Sequence, residues 1–197
     1  MKSKVTLGVF TVKRFCLYKG RYYTYGGFGN YIIDFSKYFN KIILLAHVIE
    51  SKPPHGYYLV DVSNLEIVSL PYIKGELQVL LNLGKYFYIA KKYIHEMDLI
   101  QARMPDYSGI VGAVLAKVYN KPFFNVIIDD WYLQAKNVSI FKKAGLGLLL
   151  KMHLLLYDKF ERMMCKGQVV LAQGETCYLK HVKHSKTCYK ILSSAHN

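Results

Sequence analysis

Short apolar runs, separated by polar or helical stretches, recur along the whole chain. They lie at residues 5–12, 41–48, 66–71, 98–103, 122–129, 167–173 and 187–194. Most of these runs are continuous rather than alternating, which is typical of strands covered by helices on both faces. The pattern therefore predicts a buried, mostly parallel sheet.

Helical patterns lie between the runs. Apolar residues near a 3.6-residue spacing predict one helix over residues 76–96, and shorter helices follow Tyr107 and Gly174. Alternating strands and helices with right-handed crossovers give the predicted fold class. This class is α/β, with a Rossmann-like, doubly wound, mostly parallel sheet and helices on both of its faces. At 197 residues and 52% hydrophobic composition, we expect a single domain over residues 1–197.

The net charge and the cysteine and histidine content indicate which partners, compartment and metals to expect. A formal charge of +14 indicates an anionic partner, which could be nucleic acid, an acidic membrane or a phosphorylated small molecule. Cys16, Cys165, Cys177 and Cys188 lack paired spacing, and the sequence opens without a signal-peptide pattern, so we expect reduced thiols and a cytoplasmic location. The seven histidines match no metal-ligand spacing, and we expect no bound metal or cofactor.

The segment at residues 137–164 is apolar on nearly every side. Lys151 and His153 interrupt it and leave apolar runs shorter than the roughly 20 residues that cross a bilayer. Two interpretations stay open, a core helix or a basic surface that contacts anionic lipid through Lys142, Lys143 and Lys151. The second adds peripheral contact with the inner face of a membrane to the expected location.

In parallel α/β sheets, ligands bind beyond the carboxyl ends of the strands. The residues that follow the predicted strands are therefore the candidates, and we expect their four loops to converge into one cleft. They are Gly26, Gly27, Phe28, Arg103, Asp106, Asp129, Asp130, Trp131, Gly174 and Glu175.

Several of these candidates have a plain structural alternative. Gly26 and Gly27 follow the first run at a distance that does not match a tight dinucleotide-binding turn, and they fit a long flexible loop as well as a phosphate-facing one. Arg103 has a rigid fork that suits phosphate or carboxylate. Of Asp129 and Asp130, one is expected to cap the next helix, and the other is a candidate general base or sugar-hydroxyl acceptor.

The order of several segments resembles the N-terminal, acceptor-side half of GT-B glycosyltransferases of family 4, the group 1 type. The most specific block is "ARMPDYSGIVGAVLAKVYNKPFFNVIIDDW", and "YYTYGGFGNYIIDFSKYFNKIILLAHV" and "VVLAQGETCYLK" flank it. The resemblance implies a retaining hexosyltransferase in surface-glycan or polysaccharide synthesis. It also implies a UDP- or GDP-sugar donor, held mainly by a C-terminal donor-binding domain that the 197 residues lack.

The resemblance also assigns roles to single residues. Gly26 and Gly27 would face the donor diphosphate, and Arg103, Asp106 and Asp130 would border the acceptor and the transferred sugar. The acceptor would be a glycan or a lipid-linked sugar. The donor-binding domain would act in cis or in trans, and we expect this chain to be inactive alone.

A basic nucleic-acid-binding protein without enzymatic activity is the alternative. Lysines and tyrosines could supply phosphate and stacking contacts. However, the lysines are scattered and no known RNA- or DNA-binding motif is present. We therefore expect no nucleic-acid partner.

Overall fold

The computed structural model describes residues 4–73, 76–136 and 146–191. The strands are β1 (Thr6–Tyr18), β2 (Arg21–Tyr25), β3 (Lys41–Glu50), β4 (Tyr57–Leu59), β5 (Leu65–Leu70), β6 (Leu99–Met104), β7 (Phe123–Ile127), β8 (Val169–Gln173) and β9 (Thr187–Ile191). The helices are α1 (Phe28–Ser36), α2 (Glu76–Leu81), α3 (Leu83–Tyr93), α4 (Tyr107–Val118), α5 (Trp131–Lys136), α6 (Leu146–Cys165) and α7 (Gly174–His181). Contacts divide the chain into two compact units, with the boundary between Phe123 and Phe124.

Unit 1 is built on four parallel strands in the order β5, β3, β1, β6. The first half of β1 lies between β3 and β6, with Leu7 opposite Ile42 on one side and Leu99 on the other. Leu7, Ile42 and their apolar neighbours along β1 and β3 are fully buried. The continuous apolar runs thus form strands buried on both faces, as their pattern predicts.

The prediction that the first strand ends at Val12 is wrong, and so is the long loop after it. β1 continues to Tyr18, and β2 returns antiparallel beside its second half, with Phe15 opposite Thr24. The turn between them uses positive φ angles at Lys19 (49°) and Gly20 (72°). Because the hairpin doubles back, the Gly26–Gly27 turn returns to the middle of β1, beyond the point where β1 stops pairing with β6.

A β-bulge interrupts β1 at this level. Phe10 pairs with Leu45 and Arg14 pairs with His47, so four steps along β1 match only two along β3, and β1 holds two extra residues. Such bulges release backbone groups from the ladder and redirect side chains. Lys13 and Arg14 are adjacent basic residues, and in the sequence they suggest that the strand ends before them. In the structure they lie at this bulge.

The single helix predicted over residues 76–96 is also wrong. α2 ends at Leu81, Asn82 has a non-helical backbone, α3 follows, and a short 3₁₀ turn spans Ile94–Glu96. The Asn82 side-chain amide donates to the Gln78 backbone carbonyl at 2.8 Å. This bond satisfies a carbonyl at the C-terminal end of α2 and favours an interruption between α2 and α3.

Unit 2 contains three parallel strands, with β8 between β7 and β9. Phe124 lies opposite Val169, and Val169 lies opposite Thr187. The buried Asn125 amide donates to the Met164 carbonyl at 3.2 Å and so ties β7 to α6. Part of the predicted 137–164 segment lies outside the described residues, including Lys142 and Lys143, and the remainder forms α6.

These elements confirm the predicted α/β class, Rossmann-like, with mostly parallel strands and helices around them. The single domain over residues 1–197 stays a prediction. In the part of the chain that the structure describes, no helix is long and apolar enough to cross a membrane.

Candidate functional site

Four side chains meet at the carboxyl end of the parallel strands of unit 1. We call Lys13, Phe28, Arg103 and Asp106 the Arg103 cluster. Lys13 lies in the bulge of β1 and Phe28 begins α1. Arg103 is the next-to-last residue of β6, and Asp106 is the N-cap residue of α4. Three of these four come from the sequence-predicted candidates.

Asp106 is the buried acid of the cluster, with only 6% of its surface exposed. Its carboxylate does not cap α4 but accepts a hydrogen bond from the Val12 backbone N–H at 3.3 Å. That N–H is available because Val12 lies in the bulge. Burial raises the Asp106 pKa to about 7, against the opposing effects of the Val12 hydrogen bond and of the charges on Arg103 and Lys13.

Arg103 presents a cation with unused hydrogen-bonding capacity. Its guanidinium carbon lies 5.1 Å from the centre of the Phe28 ring, within cation–π range. Its Nε is buried and has no hydrogen-bond partner among residues 4–73, 76–136 and 146–191. A buried donor without a partner is costly, and a ligand oxygen would relieve that cost.

Lys13 adds a second cation that reaches solvent. Partial burial and repulsion by Arg103 lower the Lys13 pKa, while Asp106 raises it. Its backbone N–H donates to the Thr11 hydroxyl at 3.2 Å. Thr11 and Asp106 thus accept hydrogen bonds from two backbone N–H groups of the bulge, those of Lys13 and Val12. Two cations against one buried carboxyl give the cluster an excess of positive charge.

The glycine turn and α1 border the same cluster. Gly26 has a φ of +68°, a conformation that favours glycine. Gly27 is the N-cap of α1 and no side chain caps this helix. The positive end of the helix dipole therefore adds to the charges of Lys13 and Arg103.

Tyr31 and Gln101 line the other side of Arg103. The Tyr31 hydroxyl donates to the Gln101 side-chain oxygen at 2.6 Å. Burial raises the Tyr31 pKa, and the nearby Arg103 charge opposes this. Gln101 is fully buried, and its amide nitrogen has no partner within the described part of the chain.

The Asp106 pKa makes a testable contribution to stability. Because the folded-state pKa of about 7 lies above the unfolded value of about 4, folding takes up a proton, and stability is lost as pH rises through this interval. Asp106→Asn keeps an acceptor for Val12 and removes the titration. We expect the wild type to lose roughly 2–4 kcal/mol more than the variant between about pH 4 and pH 7 in urea unfolding. Parallel pH profiles would contradict this account.

In unit 2, the two adjacent aspartates both have intramolecular partners. The Asp130 carboxylate accepts from the Leu133 N–H at 2.9 Å and so caps α5, as expected of one of the pair. The Asp129 carboxylate accepts from the Asp130 N–H at 2.8 Å and from the Gln134 side chain. These contacts hold both carboxylates in place, and catalytic roles for them stay predictions.

Asp130 also belongs to a buried ion network around Lys180. The Lys180 ammonium lies 2.6 Å from Asp158, 2.8 Å from Glu161 and 3.3 Å from Asp130. His181, which is fully buried, lies 3.2 Å from Glu161. The Lys180 cation is thus paired within unit 2, whereas the Arg103 Nε has no partner in the described part of the chain.

The other candidates of unit 2 lie at the starts of its helices. The ring of Trp131 lies 5.2 Å from the ring of Tyr157. Gly174 begins α7 with a φ of +75°, and Glu175 forms an exposed ion pair with Lys190 at 2.7 Å. Within the described ranges, no group of three His, Cys, Asp or Glu side chains could hold a metal ion. One cleft formed by all four loops stays a prediction.

Comparison with known proteins finds a similarity of fold. No family model matches the chain, and no curated protein matches its sequence. Among solved structures, sucrose-phosphate synthase from Thermosynechococcus elongatus, a GT-B glycosyltransferase, is similar over 96% of this chain with a TM-score of 0.58 and 11% identity. The chain spans about half, 47%, of the length of that protein. The chain therefore has a glycosyltransferase-like fold.

Proposed function

We propose that this chain is the acceptor-side domain of a retaining, sugar-nucleotide-dependent glycosyltransferase in surface-glycan or polysaccharide synthesis. It would work with a donor-binding domain, in cis or in trans, that delivers a UDP- or GDP-sugar. The family 4 assignment and the N-terminal position in the enzyme are part of this proposal. The glycosyltransferase-like fold supports it.

The observation that carries the proposal is the unsatisfied charge of the Arg103 cluster. Structural cations in unit 2, such as Lys180, are paired, whereas Arg103 keeps a buried Nε without a partner beside a second cation. A planar guanidinium can bind two oxygens of a phosphate, and Lys13 adds a flexible point charge. An acceptor that carries a phosphate, such as a lipid-linked sugar, matches this chemistry.

The remaining members then have definite roles. The buried Asp106 carboxyl would bind an acceptor hydroxyl and orient it, because a group whose pKa lies near 7 can accept or donate a proton. The turn at Gly26 and Gly27 would face the donor diphosphate beside the N-terminus of α1. Phe28 would keep the Arg103 fork aligned through its ring.

The candidates of unit 2 rest on the resemblance alone. Asp129 and Asp130 are our candidates for contact with the transferred sugar, and Trp131, Gly174 and Glu175 for substrate binding. Asp130→Asn in a complete enzyme tests its role.

Calorimetric titration with hexose phosphates and the matching free hexoses tests the Arg103 cluster. We expect the phosphates to bind, the free hexoses to bind far more weakly, and Arg103→Gln to weaken phosphate binding by roughly tenfold to a hundredfold, since charge-assisted hydrogen bonds contribute about 1.5–3 kcal/mol. Arg21→Gln is the control, because Arg21 is exposed at the hairpin end of β2, away from the cluster.

Two outcomes would contradict the assignment. Equal affinities of the Arg103 and Arg21 variants would remove the cluster from the site. Salt-dependent binding of a generic oligonucleotide, without any hexose phosphate binding, would favour the nucleic-acid alternative, which the structural similarity does not favour.

A further inference from the structure

One face of α6 leaves a stripe of large apolar side chains exposed to solvent. The stripe repeats at intervals of three and four residues, which places its members on one side of the helix. Its members are between 43% and 65% exposed, and they are Leu148, Leu149, Met152, Leu155, Leu156 and Met163. We call these six residues the α6 stripe.

The opposite face of α6 already supplies the core contact of this helix. Leu154, Tyr157, Met164 and Cys165 are buried there. The α6 stripe is therefore not needed to hold the helix in unit 2. Contiguous exposed apolar surface of this kind marks an interaction site on natural proteins.

The acidic and the basic side chains of α6 lie on different faces of the helix. The acidic residues of the helix, Asp158 and Glu161, turn toward Lys180 and are 15% and 2% exposed. Lys151, Lys159 and Arg162 are exposed, and Lys166 follows directly after the helix. At a spacing of 100° per residue, Lys159 and Lys166 fall within the α6 stripe and the other two fall along its edge.

We propose that the α6 stripe docks on an anionic lipid surface. The helix would lie in the plane of the interface, with its leucines and methionines in the acyl boundary and its cations at the headgroups. Basic residues are attracted to an anionic bilayer, and the chain carries a formal charge of +14. The inference rests on unit 2 alone and does not depend on the proposed function.

A second copy of the chain suits this face poorly. A symmetric dimer through the stripe would bring Lys151, Lys159 and Lys166 of both copies into one interface, because a twofold interface joins a surface patch to itself. The exposed face offers no acidic side chain of α6 to balance them. An anionic lipid surface supplies both the apolar layer and the opposite charge.

Vesicle flotation with the full chain tests the proposal. We expect the protein to float with phosphatidylcholine vesicles that contain phosphatidylglycerol, to bind pure phosphatidylcholine weakly, and to lose affinity as salt is raised. Met152→Glu with Leu156→Glu should lower partitioning by roughly tenfold or more, since burying one such side chain contributes about 1.5–3 kcal/mol. Lys151→Glu with Lys159→Glu should abolish the preference for the anionic vesicles.

The control replaces a leucine of unit 1 that is more exposed than any member of the α6 stripe. Leu81 is 77% exposed, and Leu81→Glu should float like the wild type. All variants should keep the wild-type melting temperature, because the replaced side chains are exposed. Equal binding to neutral vesicles, unchanged flotation of the α6 variants, or no flotation of the wild type would each overturn the proposal. Stripe-dependent self-association without flotation would overturn it in favour of a dimer.

Discussion

Gly109→Ala is expected to destabilise the protein by about 3 kcal/mol, although alanine is the better helix former. Gly109 is buried in the first turns of α4, and a Cβ atom there would overlap the backbone carbonyl oxygen of Arg103. A backbone atom cannot rotate away, so α4 must move off the end of β6. Urea unfolding measures the loss, and hexose phosphate binding should fall with it because Arg103 and Asp106 lie on the two displaced elements.

Gly84→Ala is the matched control. Gly84 is also helical, in α3, and nothing lies within 4 Å of a Cβ added there. We expect this variant to be neutral or more stable by up to about 1 kcal/mol. A Gly109→Ala protein as stable as the Gly84→Ala protein would show that α4 does not pack against β6 as closely as the structure has it.

Lys180→Met is expected to cost about 3–5 kcal/mol at neutral pH. The Lys180 side chain is 7% exposed and pairs with three carboxylates, those of Asp130, Asp158 and Glu161. Removing it leaves these charges buried without a cation, which costs more than the ion pairs themselves contribute. The measurement is the free energy of unfolding in urea, with Lys190→Met as control. Lys190 forms one exposed ion pair, with Glu175, and its loss should change stability by less than about 1 kcal/mol.

The pH dependence separates this explanation from simple loss of packing. Burial raises the Asp158 pKa, but the ion pairs with Lys180 and Arg162 outweigh it and the net pKa is lowered. In the wild type, Asp158 therefore stabilises the fold above its unfolded pKa of about 4, and this stability is lost as the pH falls through the folded value. Without Lys180, burial dominates and protonation is favourable, so the deficit of the variant should shrink toward pH 4. A deficit independent of pH would indicate a packing defect.

The sequence predicts the strands of this fold better than it predicts their irregularities. Continuous apolar runs identify β3, β6 and β8 closely, because burial on both faces requires such runs. The hairpin after Val12 escapes prediction, since Lys13 and Arg14 read as the end of a strand. Pairing with β2 and with the distant β3 carries β1 past these charges. The β3 partner lies about thirty residues away, beyond the reach of local pattern.

Sequence reasoning likewise finds some residues of the candidate site and misses others. The rule that ligands bind at the carboxyl ends of parallel strands finds Arg103, Asp106 and the glycine turn. It misses Lys13, because a bulge brings that residue to the same edge from inside a strand. It also misses Lys180 as a partner of Asp130, since ion pairs between distant residues leave no periodic signal. In the sequence, the bulge is indicated by Lys13 and Arg14, two adjacent basic residues inside an apolar stretch.

Lys180 and Arg103 are buried cations with different hydrogen-bonding environments. The Lys180 ammonium is surrounded by carboxylates that satisfy it, which is a stabilising arrangement complete within unit 2. The Arg103 guanidinium keeps an unpartnered buried Nε in the part of the chain described here. Buried polar groups without a partner are rare in proteins, and a ligand oxygen would complete the hydrogen bonding of Arg103.

Calorimetry with a panel of UDP-sugars, GDP-sugars and hexose phosphates on the 197-residue chain tests the central claim most directly. An acceptor-side domain should bind the hexose phosphates through Arg103 and show little affinity for the nucleotide sugars, with sugar transfer appearing only once a donor-binding domain is supplied. Tight binding of a nucleotide sugar by this chain alone, unaffected by Arg103→Gln, would contradict the account and place the donor site within these residues.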